Sequence, residues 1–580
     1  MKKFYAIATL LCVPALISSA QNVPVAYTMS QRDLRGTARF MSMAGAFGAL
    51  GGDLSCLSQN PGGIGVYRSN DIGFTMGLDV TSAKASAGNM SNTESMTRFN
   101  LNNIGGVFTL KLQSDVCPNI NFGFTYNKLA SFNRRYAGGI PNLQTSMSNY
   151  IAGISNQYGL SVDDVVSGEG YDPYNPPYGS YVPWLSIMGY DAFLTDADEV
   201  GGQTQWYGQY GDGTRGNGYF EVNEKGSIDE YNIAIGGNIS DKFFWGMDFG
   251  ITSIDYRLSS YWQESLTDAY IYDSGLGSTV RGNSNWDMLD HYKIHGTGFN
   301  YKLGFVYKPI QELRLGLAFH TPTFYNLTES YYGTDITFNY AENMGNGVMR
   351  PIDQGYDYVE ANEGYPADND LSFRSPWHII ASVAGVIGNN VIISADYEWA
   401  STNGMRYGNA KNYGYYDPWY DDPWDYYPWD YAYSPSRARS DWENRPMSAN
   451  EFANTSIKSI YKDTHTIRIG AEYRIIPQFS VRAGYSFTTS PIKSEVKNYE
   501  VSVPGTGIMT NYNLDNDTHN ITCGIGYKNK GFYADLAYVY TTRDSEYFPF
   551  APDIANPASA VKSKVKFDNS RIALSIGFKF

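Results

Sequence analysis

Arg571–Phe580, RIALSIGFKF, ends the chain on a strict alternation. Ile572, Leu574, Ile576, Phe578 and Phe580 fall on one face of an extended segment; Arg571, Ala573, Ser575, Gly577 and Lys579 fall on the other. The pattern recurs in Ile72/Phe74/Met76/Leu78 against Gly73/Thr75/Gly77/Asp79, and in Phe243/Trp245/Met247/Phe249 against Gly246/Asp248/Gly250. It recurs again in Leu313/Leu315/Leu317/Phe319, Ile467/Ile469/Ala471/Tyr473 and Phe532/Ala534/Leu536/Tyr538. A soluble sandwich also alternates, but its apolar face is its core. Here glycines, arginines and carboxylates share the second face, which suits a polar lumen, so the apolar face reads as lipid-facing.

Composition agrees. The chain has 50 Tyr, 29 Phe, 11 Trp and 59 Gly in 580 residues, with 17% charged, against about 25% in ordinary soluble domains. A net charge of -15 gives no basic footprint for nucleic acid. Lys2 and Lys3, the apolar run Phe4–Ile17 and Ser18-Ser19-Ala20 read as an export signal over 1–20. No other apolar run reaches the roughly eighteen residues of a membrane helix. Cys56, Cys117 and Cys523 follow the signal; a Cys56–Cys117 disulfide is one option in an oxidising compartment.

Fourteen strands are expected, near 70–82, 98–113, 119–134, 227–240, 242–262, 291–308, 311–325, 370–387, 390–402, 460–475, 478–490, 516–528, 531–543 and 565–580. Short links such as SDK, GNN, IPQ and NKG alternate with long ones. That is the plan of a transmembrane barrel in the bacterial outer membrane, with short periplasmic turns, long outer loops and both termini periplasmic. The terminal Phe580 resembles the C-terminal signal read by the barrel-insertion machinery. Outer-membrane lipid and lipopolysaccharide are its expected surroundings.

Ahead of the strands stands Gly48–Tyr67, GALGGDLSCLSQNPGGIGVY, which cannot pair as a strand. Fourteen strands enclose a bore wider than side chains of an eight-stranded barrel fill, and glycine lets backbone turn tightly and approach a wall closely. Leu50, Leu57, Ile64 and Val66 are more apolar than a solvated tail needs. Residues 21–69 are therefore expected to form an N-terminal hatch inside the lumen of a barrel spanning 70–580. A flexible periplasmic tail is the alternative.

GALGGDLSCLSQNPGGIG followed by a strand resembles the hatch of the bacterial outer-membrane long-chain fatty-acid and hydrophobic-compound transporters (FadL/TodX-like). The resemblance is specific over about residues 36–80 and architectural elsewhere. It implies an all-β, 14-stranded antiparallel barrel that passes hydrophobic compounds by passive diffusion, with rearrangement of the hatch. It places the family's Asn-Pro-Ala motif on Asn60, Pro61 and Gly62, with glycine standing where the family has alanine. It also implies lateral exit at a kink in the third strand. Independently, the even-position alternation of Ile120, Phe122, Phe124 and Tyr126 loses phase at Lys128–Leu129. A bulge is expected within Asn127, Lys128, Leu129 and Ala130; an ordinary strand running out above the membrane is the alternative.

Arg314, Arg468, Arg482 and Arg571 face inward by parity and are candidates for a ligand's carboxylate. Inward Asp79, Asp248, Asp396, Glu398, Glu472 and Asp535 offer the competing explanation, a ladder of opposite charges. Tyr413–Tyr433, YGYYDPWYDDPWDYYPWDYAY, reads as an outer loop that either captures apolar solutes or packs on itself. GDGTRG (Gly211–Gly216) has dinucleotide spacing but no strand–helix context. Asp196–Glu199 reads as a solvated acidic loop, and the six histidines form no metal constellation, so no metal or cofactor is expected. The competing functional reading is a binding or adhesion barrel, or a receptor for haem or another apolar ligand, acting through aromatic loops. An enzyme is disfavoured, because no nucleophile stands with a base.

Overall fold

The computed structural model describes residues 22–177, 181–388, 390–409, 449–505 and 508–580. The expected export signal and the loop Tyr413–Tyr433 lie outside the described residues.

Twenty strands form one sheet, and fourteen of them close a ring. In chain order these are β1 (Asp71–Ala87), β2 (Met90–Lys111), β3 (Asn119–Ser131), β4 (Arg215–Ile239), β5 (Phe243–Asp273), β6 (Ser278–Tyr307) and β7 (Leu313–His320). The other half is β8 (His378–Ile387), β9 (Val391–Ala400), β10 (Thr464–Ile476), β11 (Phe479–Thr488), β12 (Tyr512–Asn529), β13 (Phe532–Phe548) and β14 (Ser563–Lys579). Each pairs antiparallel with the next. β14 returns to β1 with Asp71 opposite Lys579 and Ser86 opposite Lys564. Asn70 and Phe580 exchange backbone hydrogen bonds of 2.9 and 3.1 Å, so the last residue seals the seam. Closure is required because hydrocarbon offers no water to an open sheet edge.

The two faces separate as the alternation demands. Ile72, Phe124, Ile233, Phe299, Ile469, Ile521 and Leu574 are exposed outside, while Thr75, Asn121, Asn232, Asp248, Ser394 and Ser575 are buried within. Strand ends differ from expectation in an instructive way. β5 and β6 continue to a turn at Ser274–Gly277, and β1 and β2 meet at Gly88, where long loops were expected. Above the lipid the outward positions include Ser259, Gln263 and Ser265, while Leu258, Trp262 and Leu266 are buried inward, so the apolar residues change faces as the ladder goes on. Conversely, the expected strands 311–325 and 370–387 break at Pro322 and Pro376, which have no N–H for a ladder. Thr323 and Ser375 patch the break: the Ser375 N–H donates to the Thr323 carbonyl at 3.1 Å, and the Thr323 N–H to the Ser375 hydroxyl at 2.8 Å.

Beyond that break Phe324–Asn343 and Ala367–Arg374 prolong the wall on the outer side. A lobe over residues 141–214, with helices Met147–Tyr158 and Trp184–Asp191, is pinned to β5 through Glu264. Its carboxylate accepts the Met147 N–H at 2.7 Å and the Trp262 indole at 3.0 Å.

Leu574 stands between Met76 and Leu536 on the lipid face. Leu574→Arg is expected to lower stability in vesicles by about 2–4 kcal/mol, the cost of a basic side chain near the bilayer midplane. Equilibrium denaturation checks this, and an unchanged midpoint would place that face in water.

Candidate functional site

Residues 22–69 lie against the inward faces of the strands. Two short helices, Val23–Thr28 and Ala38–Ser42, are capped by the side chains of Asn22 and Thr37. At the outer end the Tyr407 hydroxyl donates to the Asn22 carbonyl at 2.7 Å, and Tyr27 stacks on Tyr461. Lower down, the Ala38 N–H donates to the Ser575 hydroxyl at 2.7 Å. The Thr522 hydroxyl donates to the Ser42 carbonyl at 2.9 Å, and the Gly48 N–H to the Asp396 carboxylate at 3.0 Å. Apolar packing fills between: Phe40, Met41, Met43, Phe47 and Leu50 lie on Ala384, Ala537, Val539 and Ala573.

Asn60–Pro61–Gly62 is the tightest part of this contact. Asn60 Nδ2 donates to the Phe305 carbonyl at 3.2 Å and also to the Gly48 carbonyl, while Asn60 Oδ1 accepts the Gly62 N–H at 3.0 Å. Pro61 starts the 3-10 turn Pro61–Val66, where its missing N–H costs nothing. The wall gives way with glycine. A Cβ at Gly304 would fall 2.0 Å from Asn60 Oδ1, and one at Gly246 2.0 Å from the Pro61 carbonyl oxygen. The motif's own departure has the same cause: a Cβ at Gly62 would meet the Phe305 nitrogen at 2.7 Å. Alanine does not fit at this spacing.

The second feature is a break between β2 and β3. Their pairing ends at Asn103 opposite Asn127. Past it, β3 shifts register against β4 between Lys128 and Ala130, leaving Leu129 without a counterpart. On the other side β2 shifts against β1, leaving Asn102 over. Two residues of the N-terminal segment meet both irregularities. The Asp33 N–H donates to the Leu129 carbonyl at 2.8 Å, and the Asp33 carboxylate accepts the Ser131 N–H at 3.1 Å. Arg35 donates to Asp33 at 3.0 Å, to Asn102 Oδ1 at 3.0 Å and to Asp79 at 2.6 Å. Asp33 and Arg35 were not among the sequence candidates. The QRDLR run, with three of the segment's six charged residues, was the available signal.

All four candidate arginines hold partners within the protein. Arg314 donates to the Leu50 carbonyl at 2.7 Å, and Arg468 to Glu398. Arg482 bridges Glu472 and Asp535 at 2.7 and 2.6 Å. Arg571 donates to Asp79 at 2.6 Å and to the Leu34 carbonyl at 2.7 Å. Arg468 and Arg482 stand four register positions apart on β10 and β11, each on its own carboxylate. Arg39 joins the second group through Glu472 at 3.0 Å. Cys56 is a buried free thiol, and so the optional Cys56–Cys117 bond is not formed. Glu199 and Asp196 accept hydrogen bonds from Thr204 and Tyr207 within a hairpin.

A cavity of about 440 Å³ opens at the periplasmic mouth, lined by Arg39, Asp53, Glu472, Arg482, Lys528 and Tyr533 among others. Near the helix Val23–Thr28, a cavity of about 50 Å³ lies among Tyr27, Tyr136, Tyr256, Tyr461 and Tyr512. It has room for little more than a water molecule or two, each filling about 30 Å³.

These features define a closed outer-membrane β-barrel with a segment of its own chain against the inner wall. Residues 227–580, more than half of the chain, match the family described as outer membrane protein transport protein (OMPP1/FadL/TodX), and the chain belongs to that family. Among solved structures it is similar to a Pseudomonas aeruginosa FadL homologue, at 12% identity over 95% of this chain and 100% of that one, TM-score 0.48. It is similar also to the Ralstonia pickettii toluene transporter TbuX, at 13% identity over 94% and 99%, TM-score 0.42. The Pseudomonas putida toluene transporter TodX stands at 13% over 94% and 99%, TM-score 0.41. No curated protein matches the chain in sequence.

Gly304→Val is expected to lift the Asn60–Gly62 turn from β6 at a cost of about 1–3 kcal/mol. Limited proteolysis reads this as faster cleavage within residues 48–67 while the barrel keeps its heat-modifiable mobility. Cleavage at the wild-type rate would show that the contact does not hold the segment.

Proposed function

We propose that this barrel carries hydrophobic compounds such as long-chain fatty acids across the outer membrane by passive diffusion, and that residues 21–69 act as its hatch. The solute is captured at the outer loops, displaces the helix Val23–Thr28 from its tyrosine surroundings and leaves sideways between β2 and β3. The observation that carries this reading is the clasp of Asp33 and Arg35 on the two strand irregularities. A bulge frees backbone groups, and in hydrocarbon each unsatisfied one costs several kcal/mol. Here the Leu129 carbonyl and Ser131 N–H are satisfied by the hatch itself. Movement of the hatch therefore unclasps the wall at the point where pairing has already ended. Asn60, Pro61 and Gly62 act as the pivot, and Arg314, Arg468, Arg482 and Arg571 set the hatch and wall rather than grip a carboxylate. The polar periplasmic mouth, with Arg39 and Arg482 already paired, is a poor path for an acyl chain, which also favours the sideways route.

An oxidised Asp33→Cys/Ser131→Cys tether tests the reading in cells taking up labelled oleate. Uptake is expected to fall at least tenfold when oxidised and to return on reduction. Unchanged uptake through the oxidised barrel would exclude unclasping as the gate.

A further inference from the structure

On the outer surface Lys225 of β4 stands directly opposite Arg257 of β5, and Arg257 directly opposite Lys293 of β6. All three belong to the outward face: Lys225 and Arg257 are exposed and Lys293 partly so. Directly opposed side chains on one face are about 5 Å apart at Cβ, and like charges there destabilise the sheet. The surrounding anions offset only the middle of the row. Asp255 takes Arg257 at 3.1 Å, and Asp229 is held by Lys128, Tyr126 and Ser227. His291 and His295 flank Lys293 on β6, and Glu221 is taken by Arg135. The row continues through Ser330 to Asp368, two strands beyond β6's partner face. Among the described residues neither Lys225 nor Lys293 has an ion pair. A chain of net charge -15 thus leaves two unpaired lysines, one on either side of Arg257, at one outward spot.

The height of that spot is informative. Tyr231, Ile251 and Phe299 are exposed, mutually opposed, and the last apolar outward residues of their strands before the polar zone. The cationic row runs parallel to them, six residues further out on each strand. At about 3.3 Å per residue and a tilt near 40°, this is roughly 15 Å above the last apolar row. Long basic side chains shorten that by reaching down along the wall, which brings their charges into the headgroup layer. Unlike Lys225 and Lys293, Lys566, outward on β14, is paired with Asp568 at 3.5 Å and stands opposite Asp544.

We propose that Lys225, Arg257 and Lys293 form a binding site for the phosphate groups of a phosphorylated glycolipid of the outer leaflet. Its acyl chains lie on Tyr231, Ile251 and Phe299 below. The anion supplies the countercharge that Lys225 and Lys293 lack, and Arg257, which gives one nitrogen to Asp255, keeps further donors for one phosphate. The site is independent of the transport pathway.

The test uses the purified full-length barrel in detergent, titrated with lipopolysaccharide and with its dephosphorylated form, bound lipid being counted by native mass spectrometry. The wild type is expected to retain one phosphorylated glycolipid. The Lys225→Gln/Arg257→Gln/Lys293→Gln variant is expected to bind it at least about tenfold more weakly, following the gain of about tenfold or less per surface cation. Lys225→Arg/Lys293→Arg is expected to bind as wild type, and so is Lys564→Gln/Lys566→Gln. Heat-modifiable mobility reports that each variant is folded. Equal binding by the triple glutamine variant, or of the dephosphorylated glycolipid by the wild type, overturns the site. Displacement of the lipid by 1 mM inorganic phosphate alone would mark a free-anion site and overturn the lipid assignment.

Discussion

The whole structure depends on satisfying backbone hydrogen bonds where no water can help. That demand closes β14 onto β1 and ties Phe580 to Asn70. It also explains why proline interrupts two adjacent strands at one level, where a hydroxyl and a carbonyl restore the lost pairing. The same demand turns the Leu129 bulge into something more than an irregularity. Its freed carbonyl and the next N–H must find partners, and they find them on Asp33. A strand defect and a non-strand segment thereby become one unit.

How the segment is attached matters for whether it can move. Around Phe40–Leu50 its apolar contacts meet mostly alanines, which offer little area, so burial there contributes modestly for each residue. Its polar contacts are numerous and charged: Arg35 with Asp79 and Arg571, and Arg39 with Glu472, Arg482 and Asp535. A buried charge left alone is costly, so these groups come as sets in which each carboxylate serves two guanidiniums or each guanidinium two carboxylates. Such sets keep a partner on the wall when the segment's arginine leaves: Asp79 retains Arg571, and Glu472 retains Arg482. Detachment then strands neither Asp79 nor Glu472. An attachment made only of isolated ion pairs would lack that property.

The strands were legible because lipid and lumen impose opposite demands on alternate residues, a signal that survives from Ile72 to Phe580. It failed above the bilayer, where β5 and β6 turn Ser259, Gln263 and Ser265 outward and Leu258, Trp262 and Leu266 inward, so the apolar residues change faces. It failed again at Pro322 and Pro376, whose effect is local chemistry rather than period. In the N-terminal segment the glycine-rich stretch as a whole pointed to close approach to a wall, but the partner glycines Gly246 and Gly304 looked like any lumen-facing residue. Inward parity identified Arg314, Arg468, Arg482 and Arg571, yet parity says nothing about which carboxylate or carbonyl each will meet. Asp33 and Arg35 were invisible for a related reason: the groups they serve are backbone atoms freed by register shifts, which no side-chain pattern encodes.

Charge is handled by different rules on the two sides of this wall. Inside, desolvation forces Arg35, Arg39, Arg314, Arg468, Arg482 and Arg571 onto oxygens of the protein. Outside, solvent and headgroups screen charge, so a mismatch is tolerated and Lys225, Arg257 and Lys293 stand in one row. Tolerance alone does not produce such a row, because scattered lysines would screen equally well and repel less. Three cations in direct register, parallel to the edge of the apolar band, match the geometry of a layer rather than of a dissolved ion. The lumen face is therefore organised around the chain's own charges and the outer face around those of the membrane that holds it.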